Sequence, residues 1–116
     1  MNTRIFALEN YTRSNNKNAT VTEITQTKNS SVAVWCVKPG QIVQPHYHPD
    51  GQDTWVMIKG ILTYYLGDGQ SQSLNVGDIA LADKNQIHGA INESNEDAIF
   101  ISIYSAPNIG YEKASP

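Results

Sequence analysis

Sulfur, arginine and long apolar runs are all scarce in these 116 residues. The single cysteine, Cys36, excludes a disulfide within the chain and fits a reducing compartment. It stands in the apolar run 32–37, where its expected role is that of a small buried hydrophobe. Arginine occurs only as Arg4 and Arg13, so none lies on the later strands to grip a carboxylate or phosphate with two parallel hydrogen bonds. Net charge is −3, with acids and bases scattered. The absence of a basic block argues against a nucleic-acid partner. No apolar run approaches ~18 residues, and no basic patch followed by an apolar stretch opens the chain, so neither a membrane span nor a secretory signal is expected. These absences predict a cytoplasmic protein.

Helical periodicity is missing as well. What is there instead is a series of short segments rich in β-branched and aromatic residues, separated by turn residues. Segments 19–27, 31–38, 41–48, 53–59, 61–66, 70–74, 79–82, 86–91 and 97–104 read as strands, and 1–9 as a possible edge strand. Gly40, Gly51, Gly60, Gly67, Gly69, Gly77 and Gly89 fall mostly at the intervening turns. About ten short strands with regular turn signals predict one all-β sandwich or barrel spanning 1–116. Its core is expected over about 19–106, with 1–18 and the surface tail 107–116 peripheral. Segment 31–38 is apolar at both parities and is expected to be covered on both faces.

The stretch Pro45-His46-Tyr47-His48-Pro49-Asp50-Gly51-Gln52-Asp53 concentrates the chemistry. Two histidines two residues apart on a strand point to the same face, which is how a transition-metal site commonly begins. A carboxylate, Asp53, follows a turn-rich gap. The one remaining histidine, His88, opens another strand-like segment. Three histidines and one acid make a metal site if the fold joins the two segments. Imidazole and carboxylate suit Fe, Mn, Ni, Co or Zn, and spacing does not choose among them. Asp50 and Gln52 are the local rivals of Asp53. With Asp53 pointing inward, alternation sends Trp55 and Met57 inward too, as an apolar wall beside the metal. Of the adjacent Tyr64 and Tyr65, one faces in. On the last strand either Ser102 and Tyr104 or Ile99, Ile101 and Ile103 face in, and the isoleucines are the expected inward set.

Gly40, His46, His48, Asp53 and Gly60 at these spacings, followed by Gly77, His88 and Asn92, resemble the two motifs of the cupin superfamily. The match covers about half the chain and departs from the pattern in two places. Asp53 stands where the family has a metal-binding glutamate, and Asp83 and Asn85 stand where the second motif has Pro and Gly. Asn tolerates a left-handed backbone better than most residues, so Asn85 is expected to keep that turn.

The resemblance implies a double-stranded β-helix (jelly-roll) barrel with one divalent metal held by His46, His48, His88 and Asp53. It also implies a metal-binding protein of small molecules. A metal-dependent enzyme is the expected class, dioxygenase-like or of isomerase or lyase type, acting on a small oxygenated metabolite, with Asp53 as a candidate catalytic acid or base if it is not a ligand. The alternative is a non-catalytic binding or sensing cupin. Uronate-opening cupins carry a clamp arginine that this chain lacks, which makes that activity a minor candidate. A homodimer is expected, with Thr3 to Leu8 pairing across it.

Overall fold

A computed structural model describes residues 3–116. Two five-stranded antiparallel sheets face each other. The first has the order β1-β2-β9-β4-β7, from β1 (Thr20–Gln26), β2 (Ser31–Val37), β9 (Ala98–Tyr104), β4 (Asp53–Lys59) and β7 (Ile79–Ala82). The second has the order β10-β3-β8-β5-β6, from β10 (Glu112–Lys113), β3 (Ile42–Tyr47), β8 (His88–Ile91), β5 (Leu62–Gly67) and β6 (Gln70–Leu74). Non-consecutive neighbours such as β2 beside β9 and β3 beside β8 make this a double-stranded β-helix.

Side-chain alternation builds the core between the sheets. On β4, Asp53, Trp55 and Met57 are buried, while Ile58 on the opposite face is exposed. Trp55 stacks on Phe100 of β9 with ring centroids 3.9 Å apart and meets Tyr64 of β5 edge-on at 5.1 Å. Val37, Val43, Leu62, Leu74, Ala90 and Ala98 close the packing around them. Tyr64 is therefore the inward member of the tyrosine pair, and Tyr65 is only half-buried. On β2, Val34 and Cys36 are buried on one face and Ala33 and Val37 on the other, as a strand apolar at both parities requires. Burial raises the Cys36 thiol above its usual pKa, consistent with an inert packing role.

Turn chemistry matches the sequence at the two positions where it matters most. Gly60 has φ +76, and a β-carbon there would lie 2.5 Å from the carbonyl oxygen of Asp97, so only glycine lets β4 return into β5. Asn85 has φ 67, the left-handed conformation expected of it in place of the family's glycine. Asn92 is fully buried and ties the 92–96 turn, donating from Nδ2 to the carbonyls of Val37 at 2.8 Å and Glu96 at 2.7 Å.

Three expectations need correction. Residues 3–7 form no strand; a short 3-10 helix (Leu8–Asn10) follows them, and the part of the expected edge strand at 1–2 lies outside the described residues. On β9 the inward set is Ala98, Phe100 and Ser102, and the isoleucines face out: Ile103 is exposed and Ile99 and Ile101 are half-buried. Register decides this, because Phe100 lies opposite both Trp35 and Met57, which face the core, and only that parity brings the aromatic ring between the sheets. Finally, the tail is not peripheral throughout: Ile109 is buried and β10 pairs with β3. Among the described residues, no helix is long and apolar enough to cross a membrane.

Candidate metal centre

His46 lies on β3 directly opposite His88 on β8, so one antiparallel pair joins the two histidine segments. His48 follows just past the end of β3, two residues on and on the same face. Asp53 opens β4 in the facing sheet. The four side chains are buried, and one ligating atom from each lies within 4.8 Å of all the others.

The hydrogen bonds around the rings decide which nitrogens point inward. Nδ1 of His46 donates to the Gln44 carbonyl at 2.5 Å, Nδ1 of His48 to the Gly110 carbonyl at 2.6 Å, and Nδ1 of His88 to the Gln86 carbonyl at 3.0 Å. A carbonyl only accepts, so each Nδ1 carries a proton, and a neutral ring then has a bare Nε2. Nε2 of His88 lies 3.1 Å and that of His48 3.6 Å from Oδ2 of Asp53. Lone pairs of nitrogen and carboxylate oxygen at such distances repel unless a cation lies among them. Nε2 of His48 is buried with no hydrogen-bond partner among the described residues. A buried acceptor left this way costs about 1–3 kcal/mol, and a metal ion would remove that cost. The donor set therefore fits a divalent transition metal.

Two donors hold the carboxylate in place. Oγ of Ser102 donates to Oδ1 at 2.6 Å, and Nε1 of Trp55 donates to Oδ2 at 2.9 Å. Burial alone would raise the pKa of Asp53, but the His48 and His88 rings beside it and the hydrogen bond from Ser102 outweigh it and hold the carboxyl below its usual range. Burial, with the neighbouring His88, lowers His46 to about 4, which keeps that ring neutral at ordinary pH. Around the cluster, the Tyr104 ring lies 5.2 Å from His48 and the Tyr111 ring stacks on His46 at 4.7 Å. Burial, then the charge of Asp53, raises Tyr104 to about 12, so its hydroxyl keeps its proton.

Of the residues expected here, His46, His48, Asp53 and His88 are brought together. Trp55 borders them, with its ring 5.9 Å from His88, while Met57 lies deeper in the apolar core. Asp50 is exposed and outside the cluster, and Gln52 binds Ser105 through its backbone groups. Gly110 and Tyr111 were not anticipated. Their signal in the sequence is faint: one apolar residue, Ile109, beside a glycine and an aromatic in an otherwise polar tail.

No functionally curated protein matches the chain closely. A conserved protein with a double-stranded β-helix domain from Klebsiella pneumoniae subsp. pneumoniae MGH 78578 is 39% identical, with 99% of this chain and 100% of that one covered and a TM-score of 0.95. KdgF from Halomonas sp. is 18% identical over 90% of this chain and 95% of its own, with a TM-score of 0.76. An oxalate oxidase structure is 23% identical over 87% of this chain and 57% of its own, with a TM-score of 0.74. At such low identity the last two show the fold alone. The cupin domain model matches residues 33–104, which contain both histidine segments, Asp53 and all the strands that carry them. The paired sheets, the facing histidine segments and that match together make this chain a member of the cupin family.

Proposed function

We propose that this cupin is a metal-dependent enzyme acting on a small, oxygenated metabolite that is neutral or bound through its own oxygens. The observation that carries the reading is the common orientation of the three imidazoles. Each is pinned by a backbone carbonyl at Nδ1, so all three present Nε2 to Asp53. His46, His48 and His88 would hold the ion through Nε2 and Asp53 through Oδ2, with Oδ1 kept on Ser102. When bound, the ion supplies Lewis-acid polarisation of a substrate oxygen or, if it is redox-active, activation of O2.

The chain's own groups do the rest. Tyr104 keeps a protonated hydroxyl beside the site, suited to donate a hydrogen bond to a substrate oxygen. Tyr111 offers an aromatic face that is half-exposed at the rim. Arg4 and Arg13 lie outside the strands, so a polyanion meets no guanidinium clamp on them.

The test is metal analysis of protein purified without added metal, then oxygen uptake and product analysis with phenolics and diketones. About one divalent ion per chain, removable by chelator, is expected. Asp53→Ala should weaken metal retention and Asp53→Glu should keep it. If Asp53→Asn instead keeps full occupancy and loses turnover, Asp53 is a base and not a ligand. Ligand binding that tracks metal occupancy without turnover would identify a binding module.

The same reading includes a homodimer. Its support is the outward row of Ile99, Ile101, Ile103, Val56, Ile58, Ile79 and Leu81 on the first sheet, together with Ile5, which is 90% exposed on the N-terminal segment. A strictly monomeric mass by light scattering at micromolar concentration would remove it.

A further inference from the structure

The C-terminal segment touches the candidate metal centre at three levels. Its backbone is anchored to the histidine strand and its loop. Lys113 pairs opposite His46 and Glu112 opposite Tyr47, and the Ala114 amide donates to the Pro45 carbonyl at 3.0 Å. Ile109 accepts from the Asp50 amide at 2.9 Å and buries its side chain against Gly51, where a β-carbon would come within 2.3 Å of it. Between these anchors, the Gly110 carbonyl receives the Nδ1 proton of His48 and Tyr111 lies flat on the His46 ring, with 19° between the planes.

The other two histidines take their carbonyl partners from just upstream in their own segments. Gln44 and Gln86 each stand two residues before the ring they hold. His48 has no such local partner: the carbonyl that orients it comes from 62 residues away. Gly110 is suited to the task because it has φ +74, and a β-carbon on it would press 2.8 Å from Cγ of Pro49. The Pro49 ring cannot swing away as a flexible side chain would, so any other residue at 110 must shift the strap and its carbonyl.

From this we infer that the C-terminal segment is a positioning strap for the metal centre. The Gly110 carbonyl fixes His48 as the Nδ1–H tautomer, leaving Nε2 free to bind the ion, and Tyr111 holds His46 against rotation. The inference rests on the metal reading above but concerns residues that reading does not need. Outer partners that orient ligating histidines commonly change metal affinity 10–100-fold when lost. Coupling is reciprocal, so an ion bound at the cluster must in turn order the strap.

The experiment uses the full chain and zinc, which is diamagnetic. Nitrogen-detected NMR of the imidazoles reports each ring's tautomer in the metal-free protein. A competition titration against a chromophoric chelator reports zinc affinity. In wild type all three rings are expected as Nδ1–H. In Gly110→Ala, His48 alone should lose that tautomer while His46 and His88 keep it, and zinc affinity should fall 10–100-fold. Lys113→Ala, on the same strap but with an exposed side chain, should match wild type in both. A Gly110→Ala protein with His48 still Nδ1–H and unchanged zinc affinity overturns the strap.

If that variant does not fold, hydrogen exchange in wild type decides. Zinc should slow exchange of the Ala114 and Asp50 amides more than that of amides in β6, and equal slowing counts against the proposal. If wild type takes up no zinc, the metal reading falls, and the His48 tautomer in Gly110→Ala alone then upholds or overturns the strap.

Discussion

Strand β4 passes through two environments. At its start, Asp53 sits among three imidazoles, each polar atom aimed at a particular partner. Two and four residues later, Trp55 and Met57 lie in an apolar core with Phe100, Leu62 and Leu74. The core end contributes stability through area removed from water and close packing, terms that are large and indifferent to orientation. The histidine end spends stability, because it buries a carboxylate and an acceptor without a partner. Trp55 joins the two, with its ring stacked in the core and its Nε1 on Asp53. One end of the barrel therefore folds the chain, and the other gathers donors that fit a metal ion.

The largest effect that sharpens this contrast is expected from Phe100→Ala. It should cost about 3–5 kcal/mol in urea unfolding, with or without metal, because it empties the centre of the core. His88→Ala should cost less metal-free stability than Phe100→Ala while abolishing metal uptake, since burying the polar imidazole beside a carboxylate offsets part of what its packing contributes. Equal losses of stability in both variants would erase the distinction between the ends.

Ser102→Ala comes next. It removes a hydrogen bond to a buried carboxylate, worth about 1.5–3 kcal/mol. Its pH dependence separates it from a packing defect: the loss should shrink in acid, where the Asp53 carboxyl takes up a proton.

The third prediction concerns pH. His46 is lowered in the fold to about 4, against an unfolded value of about 6.5. Between those values the unfolded chain holds more protons than the folded one. Metal-free protein should therefore lose stability as pH falls through that window, with no further contribution from His46 below it. Melting temperatures of wild type and His46→Gln across that range measure the effect, and parallel curves would contradict it.

The smallest effect lies outside both ends. Asn85 holds a left-handed conformation that glycine adopts without cost. Asn85→Gly should stay within about 1 kcal/mol of wild type, and Asn85→Val should cost more than that, read by the same melts.

Much of this was legible in the linear chain because the signals are local. Strand alternation needs only neighbouring residues, and it placed Asp53, Trp55 and Met57 on one face. The His46–His48 spacing and the turn residues at Gly60 and Asn85 likewise act over a few residues. The same rule was silent on which face of β9 turns inward, because both parities are apolar there. The isoleucine-rich face is the greasier one, yet it lies outside, since the space between the sheets at that level takes one large ring, Phe100, and one small hydroxyl, Ser102.

The sequence by itself determined the strands β1 to β9, the family, and the three histidines and neighbouring acids among which the candidate site lies, because each depends on short spacings. Only the tertiary structure decided that His46 faces His88 across a ladder, that Ser102 and Trp55 hold Asp53, and that Gly110 orients His48. Those contacts join residues far apart in the chain. A two-residue strand such as β10 has too little pattern of its own to announce them. It forms because β3 already presents an edge to pair with, and that edge exists only once the barrel has closed.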